Sequence, residues 1–121
     1  SCTYSPKHEL MPKDYKQAVE QAKNAILLDV RTPEEYAEGY IEGATNIDWT
    51  GSSFDEETSQ LDKTRPVFVY CRSGKRSASA ASALRSAGFK EVYELKGGIM
   101  KWQEDGLTVT VPADKETKGA E

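Results

Sequence analysis

Val67-Phe68-Val69-Tyr70-Cys71-Arg72-Ser73-Gly74-Lys75-Arg76-Ser77 is the stretch from which the rest of the chain can be read. Its first four residues are β-branched or aromatic without a polar interruption, the pattern of a strand covered on both faces. A cysteine ends that run, a glycine permits a tight turn, and a helix-forming segment rich in alanine follows, reaching Ala87 and stopping at Gly88. Strand, glycine turn and helix in that order describe a crossover unit of a parallel sheet, in which function sits beyond the carboxyl ends of the strands.

The same alternation extends outward in both directions. Short apolar runs bounded by turn residues predict strands at His8–Met11, Ala25–Val30, Ala44–Ile47 and Glu91–Leu95. Pro12 suits a helix start, and Tyr15, Ala18, Val19 and Ala22 fall on one face of a helix reaching Gln21. Thr32-Pro33-Glu34-Glu35 reads as an N-cap, a proline at the first helical position and acids suited to the helix dipole. Ser53, with Glu56 three residues on, predicts a capping box for a short helix reaching toward Leu61. Ser1–Lys7 and Ala113–Glu121 are polar and aperiodic, which predicts loose tails around a single domain spanning 8–112.

Composition narrows the chemistry. Among 121 residues, 37% are hydrophobic and 30% charged, and acidic residues outnumber basic ones 20 to 16 for a net charge of −4. Nucleic acid is therefore not an expected partner. No apolar run approaches the roughly 20 residues of a membrane-spanning helix. Two cysteines, Cys2 and Cys71, and the single histidine His8 provide neither a zinc-type ligand spacing nor a disulfide framework, so no metal is expected and Cys71 is read as a free thiol. The opening Ser1-Cys2 suits a lipid-anchored chain of a bacterial cell envelope, the alternative being a cytoplasmic protein.

The positive charge is unevenly placed. From Cys71 to Lys90 there are five basic residues, Arg72, Lys75, Arg76, Arg85 and Lys90, and no acidic one. Three cations within six residues of Cys71 predict a local anion pocket, although a run of charge by itself also describes a solvated helix face. A thiol leading into a helix N-terminus meets unpaired backbone N–H groups and the positive end of the dipole, so its thiolate is favoured. Gly74 allows those N–H groups to converge, and Ser73 and Ser77 can add hydroxyl donors. His8 lies far out in the N-terminal stretch, so activation of Cys71 falls to this electrostatic cradle rather than to a histidine base.

Taken together, Leu28–Tyr36, Gly39–Ile47, Tyr70–Ser77, Gly88-Phe89 and Leu95–Trp102 make the chain resemble the single-domain rhodanese family of sulfurtransferases over roughly Leu10 to Leu107. The resemblance implies an α/β fold with a five-stranded parallel sheet flanked by helices on both faces. It also implies a cofactor-free transfer in which Cys71 takes the sulfane sulfur of an anionic donor such as thiosulfate, holds it as a persulfide and yields it to cyanide or a thiol. Arg72, Ser73, Gly74, Lys75, Arg76 and Ser77 would bind the donor and stabilise the persulfide. Arg31 would lie near the same pocket, oriented by Asp29. Where relatives often read G-H-I-P-G-A, this chain has Gly39-Tyr40-Ile41-Glu42-Gly43-Ala44, a change expected at the pocket rim. Trp49 and Trp102 are expected in the core or at its rim. A persulfide carrier or redox-sensing module that serves a protein partner would use the same Cys71 chemistry. A cysteine phosphatase fits less well, because Arg76 makes the loop C-x4-R and Ser77 occupies the C-x5-R position.

Overall fold

The computed structural model of the protein describes residues 8–112. The tails expected at 1–7 and 113–121, with Cys2 and the anchoring role read from it, lie outside the described residues.

Five strands and five helices alternate along the chain. They are β1 (Glu9–Leu10), α1 (Pro12–Gln21), β2 (Ile26–Asp29), α2 (Pro33–Ala37), β3 (Thr45–Asn46), α3 (Phe54–Thr58), β4 (Val67–Tyr70), α4 (Lys75–Ser86), β5 (Val92–Leu95) and α5 (Gly98–Glu104). The strands form one parallel sheet in the order β1-β5-β4-β2-β3. All five predicted strands are present; β4 keeps its predicted bounds and the other four are shorter than the sequence pattern by one to two residues, as expected where flanking residues turn into loops.

The continuous apolar character of β2 and β4 has a direct cause, because alternate side chains serve two cores. Ile26, Leu28 and Val30 pack with Val67, Val69 and Cys71 against Ala80, Ala81 and Leu84 of α4. Leu27, Phe68 and Tyr70 face the other way, toward Tyr15 of α1 and Ile99 and Trp102 of α5. The alanines of α4 let its backbone lie close to the sheet, and Leu84, only 1% exposed, anchors it. Burial of a side chain of that kind contributes about 1.5–3 kcal/mol.

Register places the site. Asp29 lies opposite Tyr70, so the chain leaving β2 carries Val30 and Arg31 alongside Cys71 and Arg72 as they leave β4. The expected box at Thr32 is present: the Glu35 backbone N–H donates to Thr32 Oγ1 at 3.2 Å, and Glu35 Oε1 accepts from the Thr32 N–H at 3.0 Å. The expected box at Ser53 is not. Ser53 does precede α3, but its hydroxyl donates to Glu57 Oε2 at 2.6 Å and caps no backbone N–H, and α3 ends at Thr58, short of Leu61. Helix α5 has no counterpart among the predicted elements. Its first residue is a glycine and it has only seven residues, too few for a periodic signal.

Candidate active site around Cys71

Cys71 leaves β4 with the same facing as Val67 and Val69, which puts its sulfur beneath the first turn of α4. Gly74, at φ +107°, is the N-cap of that helix and turns the chain so that successive N–H groups point inward. The Gly74 N–H donates to Sγ at 3.1 Å and the Ser77 N–H donates to it at 3.3 Å. Ser77 Oγ lies 3.6 Å from Sγ, where it accepts from the thiol, while its own proton is turned to the Gly74 carbonyl at 3.2 Å. Loss of the thiol proton frees the hydroxyl to rotate and donate to sulfur instead.

These contacts favour the charged sulfur. Burial pushes the Cys71 thiol up, but hydrogen bonds from the Ser77 hydroxyl and from the backbone N–H groups of Ser77, Gly74 and Ser73 outweigh it, so Cys71 ionises below its ordinary value. The sulfur is 0% exposed, held at the floor of the loop rather than on its lip. Direct donors, more than the neighbouring cations, therefore activate it.

The three loop cations do not act alike. Arg72 and Lys75 are exposed and form no ion pair among the described residues. Arg76 does not stand free to meet a donor as the sequence suggested. Its Nη1 and Nη2 donate to Glu35 Oε1 and Oε2 at 2.8 and 3.0 Å, a bidentate pair across 41 residues of chain. Arg76 hydrogen-bonded to Glu35 holds that carboxyl down to about 2.

Arg31 lies just beyond β2, hydrogen-bonded to Asp29. Both are almost fully buried. Arg31 Nε donates to Asp29 Oδ1 and Oδ2 at 3.0 and 3.1 Å, Nη2 donates to Oδ2 at 2.6 Å, and Nη2 also donates to the Gly39 carbonyl at 2.7 Å. The ring of Tyr70 lies under the guanidinium at 5.8 Å. Burial raises the Tyr70 phenol far above its ordinary value, so it is not a base at neutral pH.

A cleft of about 260 Å³ opens beside the loop, lined by Arg31, Glu35, Glu38, Arg72, Ile99 and Met100 among others. Its far wall comes from α5. The Ile99 N–H donates to the Cys71 carbonyl at 2.9 Å and the Met100 N–H to the Arg72 carbonyl at 3.1 Å, so α5 is fastened to the backbone of the cysteine loop. Sequence reasoning missed Glu35, Glu38 and Gly98 as site residues. Gly97-Gly98, one residue past β5, was a signal for the last, since paired glycines mark a close backbone approach. Tyr40 stacks on Tyr36 with ring centroids 4.2 Å apart, and the Tyr36 hydroxyl donates to the Ala44 carbonyl at 2.6 Å. Glu42 accepts from the Thr110 hydroxyl, and neither Tyr40 nor Glu42 lines the cleft. Among the described residues no group of acidic, histidine or cysteine side chains could hold a metal ion, and no helix is long and apolar enough to cross a membrane.

Comparison with known proteins gives a consistent picture. The profile of the Rhodanese-like domain matches residues 11–105. A sulfurtransferase of Allochromatium vinosum is 33% identical over 105 residues, covering 87% of this chain and 96% of that one. The thiosulfate sulfurtransferase GlpE of Stutzerimonas stutzeri is 34% identical over 106 residues, covering 88% and 90%. Among solved structures, a rhodanese-related protein of Thermoplasma volcanium superposes with a TM-score of 0.76 at 29% identity, over 86% of this chain and 98% of that one. In some longer relatives the match spans only 24% of the protein.

Proposed function

The chain belongs to the rhodanese family of sulfurtransferases, and from that premise we propose that it moves a sulfane sulfur from an anionic donor of the thiosulfate type to a thiophilic acceptor, cyanide or a thiol, through a persulfide on Cys71. The observation that carries this reading is the convergence of the Gly74 and Ser77 N–H groups on Sγ, with no histidine or carboxylate hydrogen-bonded to it among the described residues. Such a cradle stabilises an anion on sulfur and leaves it nucleophilic, which suits sulfur transfer and needs no general base.

In the first step the Cys71 thiolate attacks the outer sulfur of thiosulfate. A Cys71 S–S bond forms, the donor's S–S bond breaks, and its electron pair leaves with sulfite. The persulfide then carries the negative charge on its outer sulfur, where the backbone N–H groups hold it. In the second step the acceptor attacks that outer sulfur, and the pair of the Cys71 S–S bond returns to Cys71 as thiolate. With cyanide the product is thiocyanate. Arg72 and Lys75 draw the donor toward the loop, and a protein thiol could serve as acceptor in place of a small one.

Single-turnover mass spectrometry tests the mechanism. Wild-type protein treated with thiosulfate gains one sulfur atom at Cys71, and cyanide removes it. Cys71→Ser gains none, and its turnover falls by roughly 10³-fold or more. No gain in the wild type from thiosulfate or from polysulfide overturns the proposal.

The lowered thiol fixes a pH profile as well. Loading rises as the thiolate forms and levels off at a midpoint below the ordinary thiol value of about 8.5. Ser77→Ala deletes the first of the hydrogen bonds that oppose burial, so the midpoint moves to higher pH while the plateau rate stays nearer wild type. Stopped-flow loading from pH 5 to 10 measures both; an unmoved midpoint would show that Ser77 does not tune Cys71.

A further inference from the structure

We infer that Glu35 tunes the donor charge that the site favours: by clamping Arg76 in a bidentate pair it offsets one of the loop cations and shifts the preference toward a singly charged sulfane donor over a doubly charged one. The inference rests on the sulfur-transfer reading above and deepens it.

Four charged side chains line the cleft, Arg31 and Arg72 against Glu35 and Glu38, and two more cations, Lys75 and Arg76, stand on the neighbouring first turn of α4. Behind it, Arg31 is already matched by Asp29. Of the two cations in the first α4 turn, Lys75 forms no ion pair among the described residues, whereas Arg76, one residue before the Ser77 N–H that touches Sγ, is held by Glu35 through two hydrogen bonds. The clamp is itself fixed from below, because Glu35 Oε1 also accepts from the Thr32 N–H and hydroxyl at 3.0 and 3.1 Å. The capping box of α2 thereby aims the carboxylate at α4. With its carboxyl held at about 2, Glu35 is charged throughout the range in which the thiolate reacts.

Thiosulfate carries two negative charges, and the methanethiosulfonate ion has nearly the same shape with one. Each loads Cys71 by the same displacement, the first releasing sulfite and the second methanesulfinate, with atoms and charge conserved. Their rate ratio in single-turnover loading therefore reports the charge preference of the mouth. Removal of the carboxylate charge in Glu35→Gln, where glutamine can still close the capping box, leaves Arg76 free. The ratio of thiosulfate to methanethiosulfonate rates is expected to rise roughly tenfold, as the attraction between unit charges several ångströms apart near a protein surface implies. Arg76→Gln, which leaves Glu35 uncompensated, should lower the same ratio.

Salt dependence supplies a second check. Thiosulfate loading of Glu35→Gln is expected to fall more steeply between low and high salt than that of the wild type, and loading of Arg76→Gln less steeply. A ratio unmoved in both variants while both donors still load Cys71, or a salt dependence identical in all three proteins, overturns the inference. If Glu35→Gln loses its folded circular dichroism, Arg76→Gln decides by its ratio and its salt dependence. Failure of every sulfane donor to load the wild type is a different result, which sinks the sulfur-transfer reading instead.

Discussion

Gly98→Ala is expected to abolish sulfur loading at Cys71 and to destabilise the fold by on the order of 3–5 kcal/mol. Gly98 sits at φ +66°, a left-handed conformation that costs an alanine about 1–2 kcal/mol by itself. The larger effect is steric. A Cβ there would stand 2.2 Å from the Arg72 carbonyl oxygen, 2.4 Å from its carbon and 2.6 Å from the Ser73 nitrogen. All three are backbone atoms of the cysteine loop, so no side chain can swing aside to make room. Relief requires the loop to move away from α5, and that breaks the bonds from Ile99 and Met100 to the Cys71 and Arg72 carbonyls. The N–H cradle above Sγ would shift with them. Gly43→Ala is the matched control: φ is +90° there too, but no atom lies within 4 Å of the added carbon. It should show only the conformational cost of about 1–2 kcal/mol and load sulfur at the wild-type rate. Urea unfolding and single-turnover mass spectrometry compare the two; a Gly98→Ala protein as stable and as active as Gly43→Ala would refute the argument.

Why Gly98 escaped notice in the sequence, while Cys71 did not, is a matter of distance along the chain. The features that single out Cys71 all lie within ten residues: a doubly covered strand, a glycine turn and the start of α4. Local geometry alone brings Gly74 and Ser77 onto the sulfur. Arg31 and its orientation by Asp29 were expected only through the family resemblance, although the pairing itself is local, two residues apart at the end of β2. Glu35 and Arg76 are 41 residues apart, and nothing in either neighbourhood announces the other. Their meeting follows from β2 pairing with β4 in one register, which places the first turns of α2 and α4 side by side. The same limit governs Gly98, whose constraint comes from Arg72 and Ser73 across the sheet end. The Ser53 error has a different origin. A capping-box pattern states that two side chains are able to reach backbone N–H groups, and here Ser53 finds a carboxylate, Glu57, within one helical turn.

Asp29→Asn is the second substitution expected to act strongly, costing about 3–5 kcal/mol of stability by leaving a buried guanidinium without its counter-charge. Asp29 is 0% exposed and Arg31 5%, so water cannot replace what the carboxylate supplies. The carboxylate accepts four hydrogen bonds from Arg31, one from its backbone N–H and three from the side chain. Asparagine keeps one oxygen and turns an N–H₂ toward a group that has only donors to offer. The Asn46 amide, which donates to the Asp29 and Arg31 carbonyls at 3.0 and 2.9 Å, would hold the backbone in place while the side chain loosens. What the pair is for can then be separated from what it costs. Replacing it by the apolar pair Asp29→Leu with Arg31→Met removes both buried charges together, and such exchanges are often neutral or stabilising by about 1–4 kcal/mol. The double variant should therefore recover most of the stability that Asp29→Asn loses. It should not recover thiosulfate capture, because a cation on the cleft wall is gone. Recovery of both stability and loading would make the ion pair a structural element with no part in donor binding, whereas recovery of stability alone would place Arg31 in the donor's path.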